Sequence, residues 1–162
     1  MMILLFNVGS DNYGINVKSI IEVLPSVTLK HFPQGPEYVA GLLNYRGLAV
    51  PVIDLTLLMS ARASRDRISS RIILVDYISG SGDSHPLGLR VEKVTETVKI
   101  PDAAFTHSGV ETGSAPFLGD VAIHAGNMVQ VIEIKKVLPD SMKAMLFPNG
   151  KETDVAPDAM EC

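Results

Sequence analysis

Residues that could do chemistry are present in this chain, but they are not grouped for it. The histidines His31, His85, His107 and His124 are scattered. No two have the H-x-x-x-H spacing that sets two metal ligands on one helix face, so solvated or locally bonded roles and no metal site are expected. Asp76 and Asp83 could be drawn as an acid–base pair, yet both flank a turn signal and nothing nearby in sequence orients either. The run Ser79-Gly80-Ser81-Gly82-Asp83-Ser84 is glycine-rich but lacks a following Lys-Ser/Thr. It also does not open a helix whose first amides would hold a phosphate, and it reads as a hairpin connection. Cys162, the single cysteine, has no second thiol for a disulfide or a multi-thiolate site and no fixed cationic neighbour to activate it. No nucleophile, base and orienting group can be assembled. The expectation is a protein that is not an enzyme, with no catalytic residue and no cofactor.

One cation sits in a different kind of setting. Residues 41–55 read Gly41-Leu42-Leu43-Asn44-Tyr45-Arg46-Gly47-Leu48-Ala49-Val50-Pro51-Val52-Ile53-Asp54-Leu55. Here the short polar stretch 44–47 separates two apolar segments, the second broken by Pro51 and closed by Asp54. Asn at the first and Gly at the fourth of four positions suits a tight turn, and a hairpin tip with one guanidinium suits recognition better than catalysis. Asn44 is expected to satisfy its own turn backbone, and Gly47 to supply positive φ. Pro51, with no amide to donate, belongs at an edge or bulge, and Asp54 should cap a helix over 55–61. Arg46 reads in two ways, as a contact to a partner or as a brace of its own turn through a carboxylate such as Asp54.

Short elements must position this hairpin. Residues 3–8 and 13–17 flank the turn signal Gly9-Ser10-Asp11-Asn12 and read as a hairpin. Apolar residues at 17, 20, 21 and 24 have helical spacing, ended by Pro25. Pro36 and Glu37 suit the first turn of another short helix, with Gly41 at its end. Residues 62–70 read as a loop, 71–77 and 86–94 as β-rich runs around a turn-rich connection. Residues 117–124 and 128–134 form a hairpin around Ala125-Gly126-Asn127, and 135–138 with 141–147 a closing helix interrupted by Pro139.

Composition excludes several classes. The 162 residues suit one domain, and 46% hydrophobic content with no Trp calls for a core of Leu, Ile and Val, and the short runs of β-branched Ile and Val favour strands. A net charge of −4 without clustered Lys or Arg gives no footprint for nucleic acid. No apolar stretch of about 18 residues is present, so no membrane insertion is expected. The opening Met1-Met2-Ile3-Leu4-Leu5-Phe6 lacks a basic leader and reads as a first strand, not a signal peptide. A cytoplasmic protein is expected.

An internal echo ties the two halves together. Residues 13–20, YGINVKSI, match 87–94, LGLRVEKV, in the pattern apolar, Gly, aliphatic, polar, Val, charged, polar, aliphatic. Each copy follows a strand and a turn. The period of about 74 residues is too long for a solenoid and fits two similar lobes.

The order of these pieces resembles the CheW family, the coupling proteins of bacterial chemosensory arrays, whose signature is approximately G-x-x-N-x-R-G-x-x-x-P-x-x-D-L. This chain supplies it as Gly41, Asn44, Arg46, Gly47, Pro51, Asp54 and Leu55. Phe6-Asn7-Val8, Tyr13-Gly14-Ile15 and the hairpin around Gly126-Asn127-Met128 also resemble the family, in register over roughly residues 3–138. The resemblance implies a mainly β fold of two intertwined five-stranded SH3-like barrels with short helices. The CheW-like unit is expected over 1–138, and a helical segment over 139–148 and a disordered tail over 149–162, where the apolar pattern is lost, are expected after it. The resemblance implies a non-enzymatic adaptor associated with membrane-anchored receptor arrays, binding a chemoreceptor's cytoplasmic tip and the regulatory domain of a CheA-type histidine kinase. Leu43, Asn44, Tyr45 and Arg46 are the implied partner-binding residues, and Gly41, Gly47, Pro51 and Asp54 the structural ones. Tyr45 stands where the family commonly has Leu, so this surface is expected to favour a different receptor. The chain is also expected to carry no receiver domain. The remaining readings, a small β-barrel that binds a ligand or nucleic acid and an uncharacterised enzyme, lack respectively a basic, aromatic platform and a catalytic constellation.

Overall fold

The computed structural model describes residues 1–9, 11–33, 35–60, 69–79, 82–107 and 116–147. Residues 62–68 of the loop expected at 62–70, the Gly80-Ser81 turn, the tail at 149–162 and Cys162 lie outside the described residues. The strands are β1 (Met2–Val8), β2 (Asp11–Asn16), β3 (Ile20–Pro25), β4 (Val39–Tyr45), β5 (Leu48–Asp54), β6 (Arg71–Ile78), β7 (Ser84–Val91), β8 (Lys93–Lys99), β9 (Leu118–His124) and β10 (Asn127–Ile132). Helix α1 covers Leu55–Ser60 and α2 covers Asp140–Leu146.

The strands form two five-stranded sheets, ordered β8-β1-β2-β10-β9 and β3-β6-β7-β5-β4. The second half of the chain repeats the first: β6 to β10 take the places of β1 to β5. Each half gives its first two strands to one lobe and its last three to the other, so β3 pairs with β6 and β8 with β1. Both lobes also carry one parallel pair, β2 with β10 and β7 with β5. This is the intertwined, two-barrel architecture expected from the resemblance.

The continuous apolar runs of β1 and β6 follow from burial on both faces. Ile3 and Leu5 face the interior of one lobe and Ile72 and Leu74 that of the other. The alternate residues Leu4, Phe6, Val8, Ile73, Val75 and Tyr77 join a core shared between the lobes. The echoed glycines are packing sites: a Cβ on Gly14 would lie 2.3 Å from Ile3 Cγ2, and one on Gly88 2.8 Å from Val52 Cγ2.

Several local expectations are overturned. The helical spacing at 17–24 is a 3-10 turn at Val17–Ser19 followed by strand β3. The hydrogen-bonding edge of β6 decides this, since Ile20, Glu22 and Leu24 turn inward on alternate positions while Ile21, Val23 and Pro25 turn outward. Residues 36–38 make one turn, with Val39 N–H donating to the Pro36 carbonyl at 3.0 Å, and the chain enters β4 at Val39. Gly41 therefore ends no helix. It lies within β4, where a Cβ would come 2.5 Å from the Lys30 carbonyl oxygen. Pro51 lies in β5, an interior strand, and not at an edge. It is accommodated because the ladder to β7 begins only at Val52. The run 86–94 breaks at Glu92, and β8 continues to Lys99 with Val94 and Val98 as its half-buried apolar positions. The hairpins at 3–17 and 117–134 form as expected. Pro139 precedes α2 as its N-cap, and the preceding turn is the 3-10 segment Ile134–Lys136.

Candidate functional site

The hairpin of β4 and β5 turns on Arg46 and Gly47. Both have positive φ, 52° and 87°, and Tyr45 pairs directly with Leu48. This is the two-residue turn whose twist matches that of antiparallel strands. The turn is therefore centred one residue later than an Asn44-first turn requires. Asn44 still serves it, since its Oδ1 accepts from the Gly47 N–H at 3.0 Å. Glycine takes the left-handed conformation without cost, whereas a side-chain-bearing residue such as Arg46 is strained there by about 1–2 kcal/mol.

Three side chains meet at this corner. The Tyr45 hydroxyl donates to Glu22 Oε1 at 2.8 Å. The Arg46 guanidinium lies 3.7 Å from the same carboxylate oxygen and 5.2 Å from the centre of the Tyr45 ring. The hydrogen bond to Glu22 raises the Tyr45 phenol above its ordinary pKa, with partial burial adding to it and the Arg46 charge opposing it. Arg46 stays largely in water, with 77% of its side chain exposed. Its bracing carboxylate is Glu22 and not Asp54. Asp54 is buried and accepts from the Leu57 N–H at 3.2 Å, capping α1 as expected.

The structure brings Asn44, Tyr45 and Arg46 to one exposed corner and leaves Leu43 out of it. Leu43 lies on the same face of β4 as Tyr45 but deeper, only 5% exposed and packed with Val50, Val52, Ile72 and Leu74, a cluster that Tyr45 partly covers. Sequence reading missed Glu22 and Leu48. Leu48, 53% exposed, stands beside Tyr45. The Arg-Gly pair, read as a two-residue loop, would have indicated that pairing. Glu22 had no local signal, because it reaches the corner from the third strand.

The other lobe supplies a comparison. Its β9/β10 turn has the same shape, with Ala125 at φ 50° and Gly126 at φ 80°, but Ala125 stands where Arg46 does. The guanidinium is thus not required by the turn. The outward row of β3 differs from its counterpart in the same way. Ile21 and Val23 are 47% and 39% exposed, where β8 has Thr95 and Thr97 at the same ladder positions.

The acids considered for catalysis lie elsewhere. Asp76 accepts from the Ser84 hydroxyl, and Asp83 sits on the exposed connection after β6. The four histidines stand on separate segments, exposed or half-buried. Among the described residues, no group of three or more His, Cys, Asp or Glu side chains is placed to hold a metal ion. A half-open cleft of about 680 Å³ separates the lobes, with Asp76 and Ile78 on one side and Phe105, Asp120 and Val131 on the other.

A sequence model of the CheW-like domain matches residues 2–142. The chain belongs to the CheW-like domain family. A chemotaxis protein CheW of Rhizobium meliloti is 24% identical over 136 residues, covering 83% of this chain and 84% of that protein. The protein FrzA of Myxococcus xanthus is 30% identical over 108 residues, covering 63% and 68%. The crystal structure of the scaffolding protein TtCheW from Thermoanaerobacter tengcongensis superposes with a TM-score of 0.75 at 24% identity, over 85% of this chain and 87% of that one. That likeness supports the fold, and the family makes this CheW-like chain a chemotaxis coupling adaptor rather than a barrel that binds a small ligand or nucleic acid. No helix among the described residues is long and apolar enough to cross a membrane.

Proposed function

We propose that this chain joins a chemoreceptor's cytoplasmic tip to the regulatory domain of a CheA-type histidine kinase, in the cytoplasm and without catalysing a reaction itself. Protein contacts alone would hold it to membrane-anchored arrays. The observation that carries this reading is the Arg46 corner: an exposed guanidinium stands at a turn position where the equivalent turn of the other lobe has Ala125. Both turns carry the same positive φ, so the guanidinium and not the backbone sets this corner apart, and Arg and Tyr are enriched among the residues that dominate binding. Asn44, Tyr45 and Arg46, with Leu48 beside them, are assigned to the receptor tip, and Leu43 supports them from below.

The outward row of β3 is assigned to the kinase domain. Exposed Ile21 and Val23 on an edge strand invite pairing or packing that the threonines of β8 do not. The test is a pull-down of the folded chain against a purified receptor tip and a purified kinase regulatory domain. Binding to both is expected, and Ile21→Lys with Val23→Lys should abolish kinase capture while receptor capture persists. A folded wild type that captures neither partner sinks the adaptor reading. Unchanged kinase capture by the double variant removes β3 from it.

A further inference from the structure

The β6/β7 hairpin has two working faces. On one, the cross-strand pair Tyr77 and His85 is covered by Phe147 at the end of α2. The Phe147 ring stacks at 5.3 Å on Tyr77 and 4.5 Å on His85, nearly parallel to both. Tyr77 is only 1% exposed although it lies one residue from the end of its strand. On the other face, the flanking residues Asp76 and Ile78 line the cleft between the lobes.

Helix α2 is built to be held by its neighbours rather than by itself. It has seven residues, begins after Pro139 and receives no side-chain cap at its N-terminus. A helix this short does not persist alone in water, so its order comes from Met142, Leu146 and Phe147 packing on the shared core. Its other side is open, with Met145 48% exposed. Elements with few buried anchors open separately from the rest of a fold.

We propose that α2 is a releasable strap: seated, it holds the end of the β6/β7 hairpin and fixes the cleft wall formed by Asp76 and Ile78; lifted, it frees that wall to move. The aromatic stack is the catch, because Phe147 is the residue that clasps both strands of the hairpin.

Amide hydrogen exchange on the full chain, read with the methyl resonance of Ile78, tests this. Phe147→Ala should speed exchange at Tyr77, Ile78 and His85 at least tenfold and shift the Ile78 methyl. Amides of Leu4 and Leu5 in β1 should keep their wild-type rates, and Met145→Ala should leave all of them unchanged. Should Phe147→Ala not fold, Phe147→Leu, which keeps an apolar anchor but no ring, should show a smaller change confined to the same amides. Exchange in the hairpin that stays at the wild-type rate overturns the strap. Acceleration spread equally to β1 also overturns it, since α2 would then be an ordinary part of the global core.

Discussion

Replacing Arg46 by glycine separates what this residue does for the fold from what it does for a partner. The structure gives three opposing contributions to stability. Relief of the left-handed strain at φ 52° contributes about 1–2 kcal/mol. Loss of the 3.7 Å pair with Glu22, between exposed groups, costs about 0.2–1 kcal/mol. The added chain entropy of glycine costs about 0.5–1 kcal/mol. The sum lies within about 1 kcal/mol of zero, a change in Tm of less than about 4 °C for a chain of this size. Arg46→Ala keeps most of the strain and loses the pair, so it should be slightly less stable than Arg46→Gly. If the guanidinium is a binding hot spot worth about 2 kcal/mol, both variants should bind a receptor tip about 30-fold more weakly. Thermal unfolding by circular dichroism and titration calorimetry against the receptor tip give the two quantities. Glu22→Ala distinguishes contact from brace. It should weaken binding much less than Arg46→Ala if Arg46 touches the partner, and equally if Arg46 only holds the corner. Unaltered affinity in both Arg46 variants, or a fold lost on Arg46→Gly, refutes the reasoning.

Two further outcomes follow from the same geometry. Gly14→Ala and Gly88→Ala should each destabilise by about 1–3 kcal/mol in urea unfolding, with Gly14→Ala the worse because its Cβ would lie 2.3 Å from Ile3 Cγ2 against 2.8 Å from Val52 Cγ2; the reverse order would show that the first lobe relaxes more readily than its packing implies. The Tyr45 phenol should ionise above its ordinary pKa, followed by NMR of its ring carbon. Because its folded pKa is the higher, the stability it adds is complete below the unfolded value and is lost as pH rises through the folded one; Glu22→Ala should bring the titration down toward the ordinary value, and no movement would mean that the hydrogen bond to Glu22 is not its main cause.

Much of this fold is legible locally. The runs 3–6 of β1 and 72–75 of β6 are apolar at every position because two cores claim alternate side chains. The turn made by Arg46 and Gly47, the Asn44 bond to it and the Asp54 cap each span no more than three residues. The echo of 13–20 in 87–94 marked a duplicated unit, and it corresponds to the turn from the second strand of each half into the third. The failures share one cause. Residues 17–24 could satisfy a helix as well as a strand, and only the open edge of β6, some fifty residues away, settled the matter. Gly41 has the local context of a helix end, but the Lys30 backbone packs against it within β4. β8 carries too few apolar residues to announce a strand, and it forms because β1 offers unpaired backbone groups.

The sequence by itself determined the class of the protein, the position of its exposed cation and the existence of two related halves, since those depend on residue types, short turns and repeated patterns. The tertiary structure decided which lobe each third strand joins, that Leu43 is buried beneath the corner and which carboxylate holds Arg46. Those outcomes depend on hydrogen-bonding edges and packing faces brought together from distant parts of the chain, and no local preference encodes them.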